Sequence, residues 1–217
     1  MKLFSFWRSL ATYRVRIALN LKGIVPDEVI DVNLMQGKQR EESYRKVNPQ
    51  MVLPALIDGD GPVLFQSLAI IEYLDETQPK PPLLPGDPRG RARVRGLAMI
   101  TSSDAHPLLV PSVREFLEHE FKLDEAQRLK WSRHWVTLGL EAYEDLLSRD
   151  QATGKFCHGD AVTLADLCLV SHVVAAQYNQ LDLKPYPTVR RINDACMAVD
   201  AFARAHPLRQ PGAPAAA

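Results

Sequence analysis

Val52-Leu53-Pro54-Ala55-Leu56-Ile57-Asp58-Gly59-Asp60-Gly61-Pro62-Val63-Leu64-Phe65-Gln66-Ser67-Leu68-Ala69-Ile70-Ile71-Glu72-Tyr73-Leu74 is the stretch on which the fold turns. Two short apolar runs, 55–57 and 63–65, flank Asp-Gly-Asp-Gly, whose residues tolerate positive φ and mark a tight β-hairpin. Ser67 then caps a helix over 68–76, and Pro79 follows closely to stop it. Leu53-Pro54 heads the first strand of the hairpin. A proline there, between apolar residues, is a candidate cis bond, although X-Pro on its own is far more often trans. Cis geometry turns the N–H and C=O of Leu53 outward, where they can pair in antiparallel fashion with a peptide.

Before this stretch, residues 3–6 form a short apolar run. Residues 12–22 follow with helical patterning, Val15, Ala18 and Leu19 together and Arg14 and Arg16 turned elsewhere, and Gly23 is a good C-cap. Residues 28–32 alternate acidic and β-branched side chains, which predicts a strand beside solvent. Residues 36–47 are polar and read as a short, loosely held helix. The order is therefore β-α-β-α-β-β-α, one small mixed sheet covered by helices. After it, the Pro-rich connector Lys80-Pro81-Pro82-Leu83-Leu84-Pro85-Gly86-Asp87-Pro88 marks a boundary. The expected domains are 1–80 and 88–210.

Beyond the connector the pattern is all-α. Residues 89–103 are helical, and 124–147 place Trp131, Trp135, Leu138, Ala142 and Leu146 on one stripe. Residues 163–177 bury Leu164, Leu167, Cys168 and Val174, while 188–202 space Val189, Ile192, Cys196, Val199 and Phe202 by threes and fours. The end, 211–217, has no means of packing and is expected to fray.

In 217 residues, Lys plus Arg and Asp plus Glu number 26 each, so no nucleic-acid or anionic-membrane partner is indicated. Cys157, Cys168 and Cys196 form an odd set with neither CxxC nor metal-ligand spacing, which fits a reducing compartment and no metal. Arg8, Arg14 and Arg16 interrupt the apolar start, so it is no signal peptide. No apolar run approaches the roughly 20 residues that span a bilayer. The expected location is cytoplasmic.

Three features of the first domain can carry chemistry. Arg8-Ser9 stands at the start of the first helix, where unpaired N–H groups and the dipole favour an anion. A thiol bound there has its pKa lowered from about 8.5, helped by a hydrogen bond from the serine. Leu53-Pro54 offers backbone pairing. At Gln66-Ser67, a helix start and a hydroxyl can grip a carboxylate, with Gln66 beside them. Each feature alone is more readily an ordinary cap or turn.

Taken together, in this order and spacing, they resemble one site. The chain is similar over nearly its whole length to the glutathione S-transferase superfamily. The likeness rests on Val52-Leu53-Pro54, on 65–74 beginning Phe65-Gln66-Ser67, and on the helical second part with Thr163-Leu164-Ala165-Asp166 as a structural capping box. The fold it implies is α/β plus all-α: a thioredoxin-like N-terminal domain, then an all-helical C-terminal domain forming the second-substrate pocket. Phe6-Trp7-Arg8-Ser9, the 14–23 run, Asn48-Pro49-Gln50, Leu83-Leu84-Pro85, Asp104-Ala105-His106-Pro107 and Leu181-Asp182-Leu183-Lys184-Pro185-Tyr186-Pro187 resemble the zeta class, the maleylacetoacetate and maleylpyruvate isomerases.

The resemblance implies glutathione as cofactor, a small electrophilic substrate and a homodimer. By it, Ser9 is the thiol-activating hydroxyl and Arg8 clamps a substrate carboxylate. Leu53, after which Pro54 turns the chain, binds the cysteinyl backbone, and Gln66 with Ser67 holds the γ-glutamyl end. Gln50 and Lys38 hold the glycyl carboxylate, His106 stands where the class places a ligand-facing Gln or His, and Asp104 reaches the γ-glutamyl ammonium across a dimer interface. The likeness has gaps. Leu10-Ala11 follow Ser9 where the class continues Ser-Cys, Leu109-Val110 stand in place of an Asn pair, and Ala176-Gln177-Tyr178 replaces an Ala-Arg-Arg run. Leu10, Leu109, Val110 and Gln177 thus leave open a transferase that conjugates or reduces apolar electrophiles. A non-catalytic dimeric interaction protein on the same fold is the third reading. Consumption of glutathione separates the first two, and Ser9→Ala tests the third.

Overall fold

The structure is a computed structural model and describes residues 1–214; residues 215–217, part of the end expected to fray, lie outside the described residues. The chain forms two compact units, one built from residues 1–83 together with the described residues from 199 onward, the other from 84–198.

The first unit contains β1 (Lys2–Ser5), α1 (Leu10–Lys22), β2 (Glu28–Asp31), α2 (Glu42–Arg45), β3 (Ala55–Ile57), β4 (Leu64–Phe65) and α3 (Ser67–Thr77). The sheet order is β2-β1-β3-β4, with β1 parallel to β2 and the other two pairings antiparallel. This is the expected thioredoxin-like β-α-β-α-β-β-α arrangement. Leu3 stands opposite both Val29 and Leu56, so the centre of the sheet is apolar. The hairpin closes through Gly61 N–H to Asp58 C=O at 3.1 Å, with Gly59 at a φ of 55° that a side chain would resist. The polar stretch before β3 is two 3₁₀ turns, Leu34–Gln36 and Lys38–Arg40, and the single turn of α2.

Helix α1 is buried on all its faces, so turning away from Val15, Ala18 and Leu19 does not bring its arginines to water. Arg14 and Arg16 are not turned to solvent; they are only 2% and 8% exposed. Apolar residues surround them in sequence because α1 is covered on all sides, by α3 and by a last helix, α9 (Asp200–Ala205). The arginines supply polar links inside that packing: Arg16 Nε donates to Ala205 C=O at 3.1 Å. Asn20 likewise donates to Ala201 C=O at 2.9 Å.

For the same reason the expected helix over 188–202 is broken. It stops as α8 (Pro187–Met197), Val199 is extended at φ −88° and ψ 120°, and α9 restarts against α1. The unbroken 3–4 spacing of apolar residues hides the break. The segment from 199 therefore belongs with the first unit and not with a second domain running to 210.

The second unit is helical: α4 (Pro88–Met99), a π-helical turn (Ile100–Ala105), a 3₁₀ turn (His106–Leu108), α5 (Pro111–His119), α6 (Glu125–Arg149), α7 (Leu164–Tyr178) and α8. Helix α7 is its centre, buried from Leu164 to Ala176. Asp166 closes its start by accepting from Thr163 N–H and Oγ1 and from Cys157 N–H. Burial in that place pushes the Asp166 carboxyl above its usual range, against the pull of those donors. The buried stripe of α6 is Val136, Gly139, Leu140, Tyr143 and Leu147. It is not the stripe expected: Trp131 and Trp135 are half-buried, and Leu138 and Leu146 are exposed. Gly139 selects the face, because a Cβ there would sit 2.5 Å from the ring of His172 on α7. His172 is buried and its Nε2 bonds Val136 C=O at 2.9 Å, so it is a packing residue.

Candidate functional site

Between β1 and α1 the chain turns within four residues. Ser9 N–H bonds Phe6 C=O at 3.0 Å, and Arg16 Nη1 and Nη2 hold the carbonyls of Phe6 and Trp7 at 3.3 and 3.2 Å. The turn is thus fixed from beneath by a guanidinium, while Arg8 on it is exposed. Ser9 is the N-cap of α1, with φ −67° and ψ 113°, and its Oγ accepts from Thr12 N–H at 3.2 Å and from Thr12 Oγ1 at 2.9 Å. Capping and function are not alternatives here. The cap uses the lone pairs of the oxygen and leaves its hydrogen available to an anion held at the helix start.

Leu53-Pro54 is a cis peptide. Leu53 packs in a cluster with Phe4, Phe6, Val32, Tyr44 and Ala55, which ties it to the strand that leads into the Ser9 turn. Among the described residues its N–H and C=O have no protein hydrogen-bond partner, so both are available to an extended peptide. The preceding residue is tightly held. Tyr44 Oη and Asn48 Nδ2 both donate to Val52 C=O, at 2.7 and 2.8 Å, and burial pushes the Tyr44 phenol up to about 12.

Gln66, not Ser67, takes the N-cap position of α3, and does so with φ 69° and no capping bond from its side chain. A non-glycine residue in that region costs about 1–3 kcal/mol and persists where the surroundings demand it. Its Nε2 bonds Gln50 Oε1 at 3.1 Å, joining two expected glutathione contacts. Ser67 is the first helical residue, buried, and its Oγ accepts from Arg14 Nε at 3.1 Å. Its hydroxyl does not cap α3; it is fastened to α1.

The structure therefore links Ser9 and Ser67 through α1, Leu53 to the β1 side, and Gln50 to Gln66. Lys38 is set apart from these by its pairing with Glu41 at 2.8 Å on an exposed turn. Asp104 is exposed at the end of the π-helical turn, and His106 is half-buried at the start of the 3₁₀ turn that follows, both in the second unit. Leu10, offered above as a sign of an apolar pocket, is buried in the core of α1. Of the supporting residues, Thr12 is legible from sequence only as a cap or a spare hydroxyl, and Arg14, Tyr44 and Asn48 carry no assigned role there. The signal for Arg14 was available, since an arginine inside an otherwise apolar helical run needs an internal partner. Among the described residues no group of His, Cys, Asp or Glu is placed to hold a metal, and no helix is long and apolar enough to cross a membrane.

Comparison with known proteins gives the family and the fold. The family pattern for the glutathione S-transferase N-terminal domain matches residues 8–77. The maleylpyruvate isomerase of a Ralstonia species is 46% identical over 211 residues, covering 97% of this chain and 99% of that protein. Among solved structures, the maleylacetoacetate isomerase of Methylobacterium extorquens AM1, with bound malonate and GSH, aligns with a TM-score of 0.97 at 51% identity, covering 99% of this chain and all of that one. The holo structure of a maleylpyruvate isomerase, a bacterial zeta-class glutathione S-transferase, aligns with a TM-score of 0.94 at 46% identity, covering 99% and 100% of the two chains.

Proposed function

The chain belongs to the glutathione S-transferase family, in its zeta class, and we propose that it is a glutathione-dependent isomerase of cis-configured keto-diacids of the maleylacetoacetate and maleylpyruvate type. The observation that carries this reading is the state of Ser9: a helix-capping hydroxyl whose hydrogen is unspent, at the positive end of α1. Leu53 pairs with the cysteinyl backbone, Ser67 and Gln66 grip the γ-glutamyl carboxylate, and Gln50, bonded to Gln66, extends the site toward the glycyl end. Lys38 reaches that end by leaving Glu41, and the γ-glutamyl ammonium is met across the dimer interface by Asp104 of a second copy.

The sulfur, held as thiolate by Ser9, adds to the electron-poor double bond. A C–S bond forms, the π pair moves onto the conjugated carbonyl as an enolate, and the former double bond becomes free to rotate. Collapse of the enolate expels the thiolate and leaves the double bond trans. Glutathione is regenerated, so no oxidant or reductant is needed. Exposed Arg8, adjacent to Ser9, offers a bidentate fork to a substrate carboxylate. That the Methylobacterium relative was solved with both malonate and GSH bound supports a small-dicarboxylate substrate.

The protein acts in the cytoplasm, in keeping with three buried free cysteines, and as a homodimer. Phe65 and Met51, 52% and 37% exposed beside Gln66 and Gln50, are apolar surface that a second copy would cover.

The test is turnover of a cis keto-diacid with sub-stoichiometric glutathione, following the trans product and total thiol together. Complete conversion with thiol conserved is expected; one thiol lost per product would make the protein a conjugating transferase. Ser9→Ala should lower kcat/KM by about 10–100-fold, the worth of one hydrogen bond to an anion. A variant as active as the parent would remove Ser9 from the mechanism.

A further inference from the structure

Thr12, the third residue of α1, is fully buried, and both of its donors meet at one atom. Its backbone N–H lies 3.2 Å and its hydroxyl 2.9 Å from Ser9 Oγ. A serine hydroxyl has two lone pairs and one hydrogen. Thr12 occupies both lone pairs, so the hydrogen is all that Ser9 has left to offer. The opposite polarity, with Ser9 donating to Thr12, is disfavoured. Among the described residues Ser9 Oγ is the partner of Thr12 Oγ1, and a reversed bond would strand a buried hydrogen.

We propose that Thr12 is a positioning residue that fixes Ser9 as an obligate hydrogen-bond donor and thereby makes the site selective for the thiolate over the thiol. A serine free to accept would also welcome a neutral S–H and would discriminate less between the two forms. The Thr12 hydroxyl polarises the Ser9 O–H as well, since chained hydrogen bonds reinforce one another. This inference rests on the glutathione reading given above and goes beyond it, because it names what sets the polarity of the serine.

The experiment titrates the ultraviolet thiolate band of bound glutathione in the parent protein and in Thr12→Val, Thr12→Ser and Ser9→Ala. Valine keeps the shape and the backbone N–H of Thr12 but removes the hydroxyl. Thr12→Val should raise the apparent thiol pKa by about one unit, a roughly tenfold loss of thiolate near neutral pH. Affinity for S-methylglutathione, which has no proton to lose, should move by less than about twofold. Thr12→Ser should restore the parental titration, which a purely structural role for the methyl group would not. Should valine disturb folding, Thr12→Ala removes the same hydroxyl without added branching and must give the same shift. A parental titration curve for Thr12→Val overturns the inference while leaving the isomerase reading intact. A parent protein that leaves bound glutathione at its free-solution pKa overturns both.

Discussion

Arg16 donates to the carbonyls of Phe6, Trp7 and Ala205 and to the Ser5 hydroxyl, and its charge lies 5.9 Å from the Tyr13 ring. Next to it, His206 meets the edge of Tyr13 and accepts Leu208 N–H at Nδ1, 3.3 Å away, which requires the neutral ring. Burial, then the charges of Arg209 and Arg16, hold the His206 pKa below its ordinary value of 6.5. The folded state thus prefers neutral His206. Its contribution to stability is full above pH 6.5 and is lost as pH falls through the lowered value. Thermal melts across this range should show a decline on the acid side that His206→Asn, which keeps a neutral acceptor, makes shallower. Identical pH profiles for the two proteins would exclude His206 as its source. At this scale, Ser9, Leu53 and Gln66-Ser67 were legible in the sequence because each sits at an element boundary marked by its own local pattern. Thr12 was not. Its importance lies in which way a hydrogen points, and a threonine three residues after a cap looks the same either way.

Helices and strands were legible where a short-range signal decides them, as with Asp58-Gly59-Asp60-Gly61 in the β3–β4 turn or Thr163 and Asp166 at the start of α7. They were misread where distant surfaces decide, as in the face of α6 and the break before α9. Two element contacts make this testable. Gly139 lets α6 approach α7, and His172 cannot swing aside because it is buried and bonded to Val136. Alanine gains up to about 1 kcal/mol of helix propensity, but overpacking costs about 1–3 kcal/mol, so Gly139→Ala should be destabilising on balance. Chemical denaturation of Gly139→Ala with and without His172→Ala should show the second change relieving the first; a stabilised single variant would refute the close approach. The connector is fastened differently. The fully buried Lys22 ammonium bonds Asp75 Oδ1 and Pro81 C=O, each at 2.5 Å, and the same Asp75 oxygen accepts Leu83 N–H at 2.8 Å. Asp75→Ala leaves a buried cation without its counter-ion and should cost about 3–5 kcal/mol. Replacing both partners, Lys22→Met with Asp75→Leu, should recover much of that loss in the same measurement; equal loss in the single and double variants would mean that the carboxylate acts only through Leu83.

On the scale of the molecule, the first unit is closed by chain from its far end. Tyr13, Arg16 and Asn20 on α1 direct polar groups at the carbonyls of Phe202, Ala205 and Ala201 on α9. Nothing in the 199–205 segment signals this from sequence, since its acceptors are backbone atoms and any residue supplies them. Ending the chain after residue 198 would uncover the apolar surface of α1 and exchange the acceptors of three of its donors for water, the bonds alone being worth about 0.5–1.5 kcal/mol each. The melting temperature should therefore fall by at least about 10 °C. The more telling effect is on function. Arg16 also holds the Phe6 and Trp7 carbonyls, so a guanidinium that loses Ala205 and becomes hydrated loosens the turn that carries Ser9. The truncated chain, assayed well below its lowered melting temperature, should bind glutathione at least about tenfold more weakly, as expected when at least one anchoring hydrogen bond to a charged ligand is lost. Addition of a synthetic peptide spanning 199–214 should restore part of that affinity. If the truncated chain bound glutathione like the full one, α9 would be packing alone, and the rigidity of the Ser9 turn would have to come from the sheet.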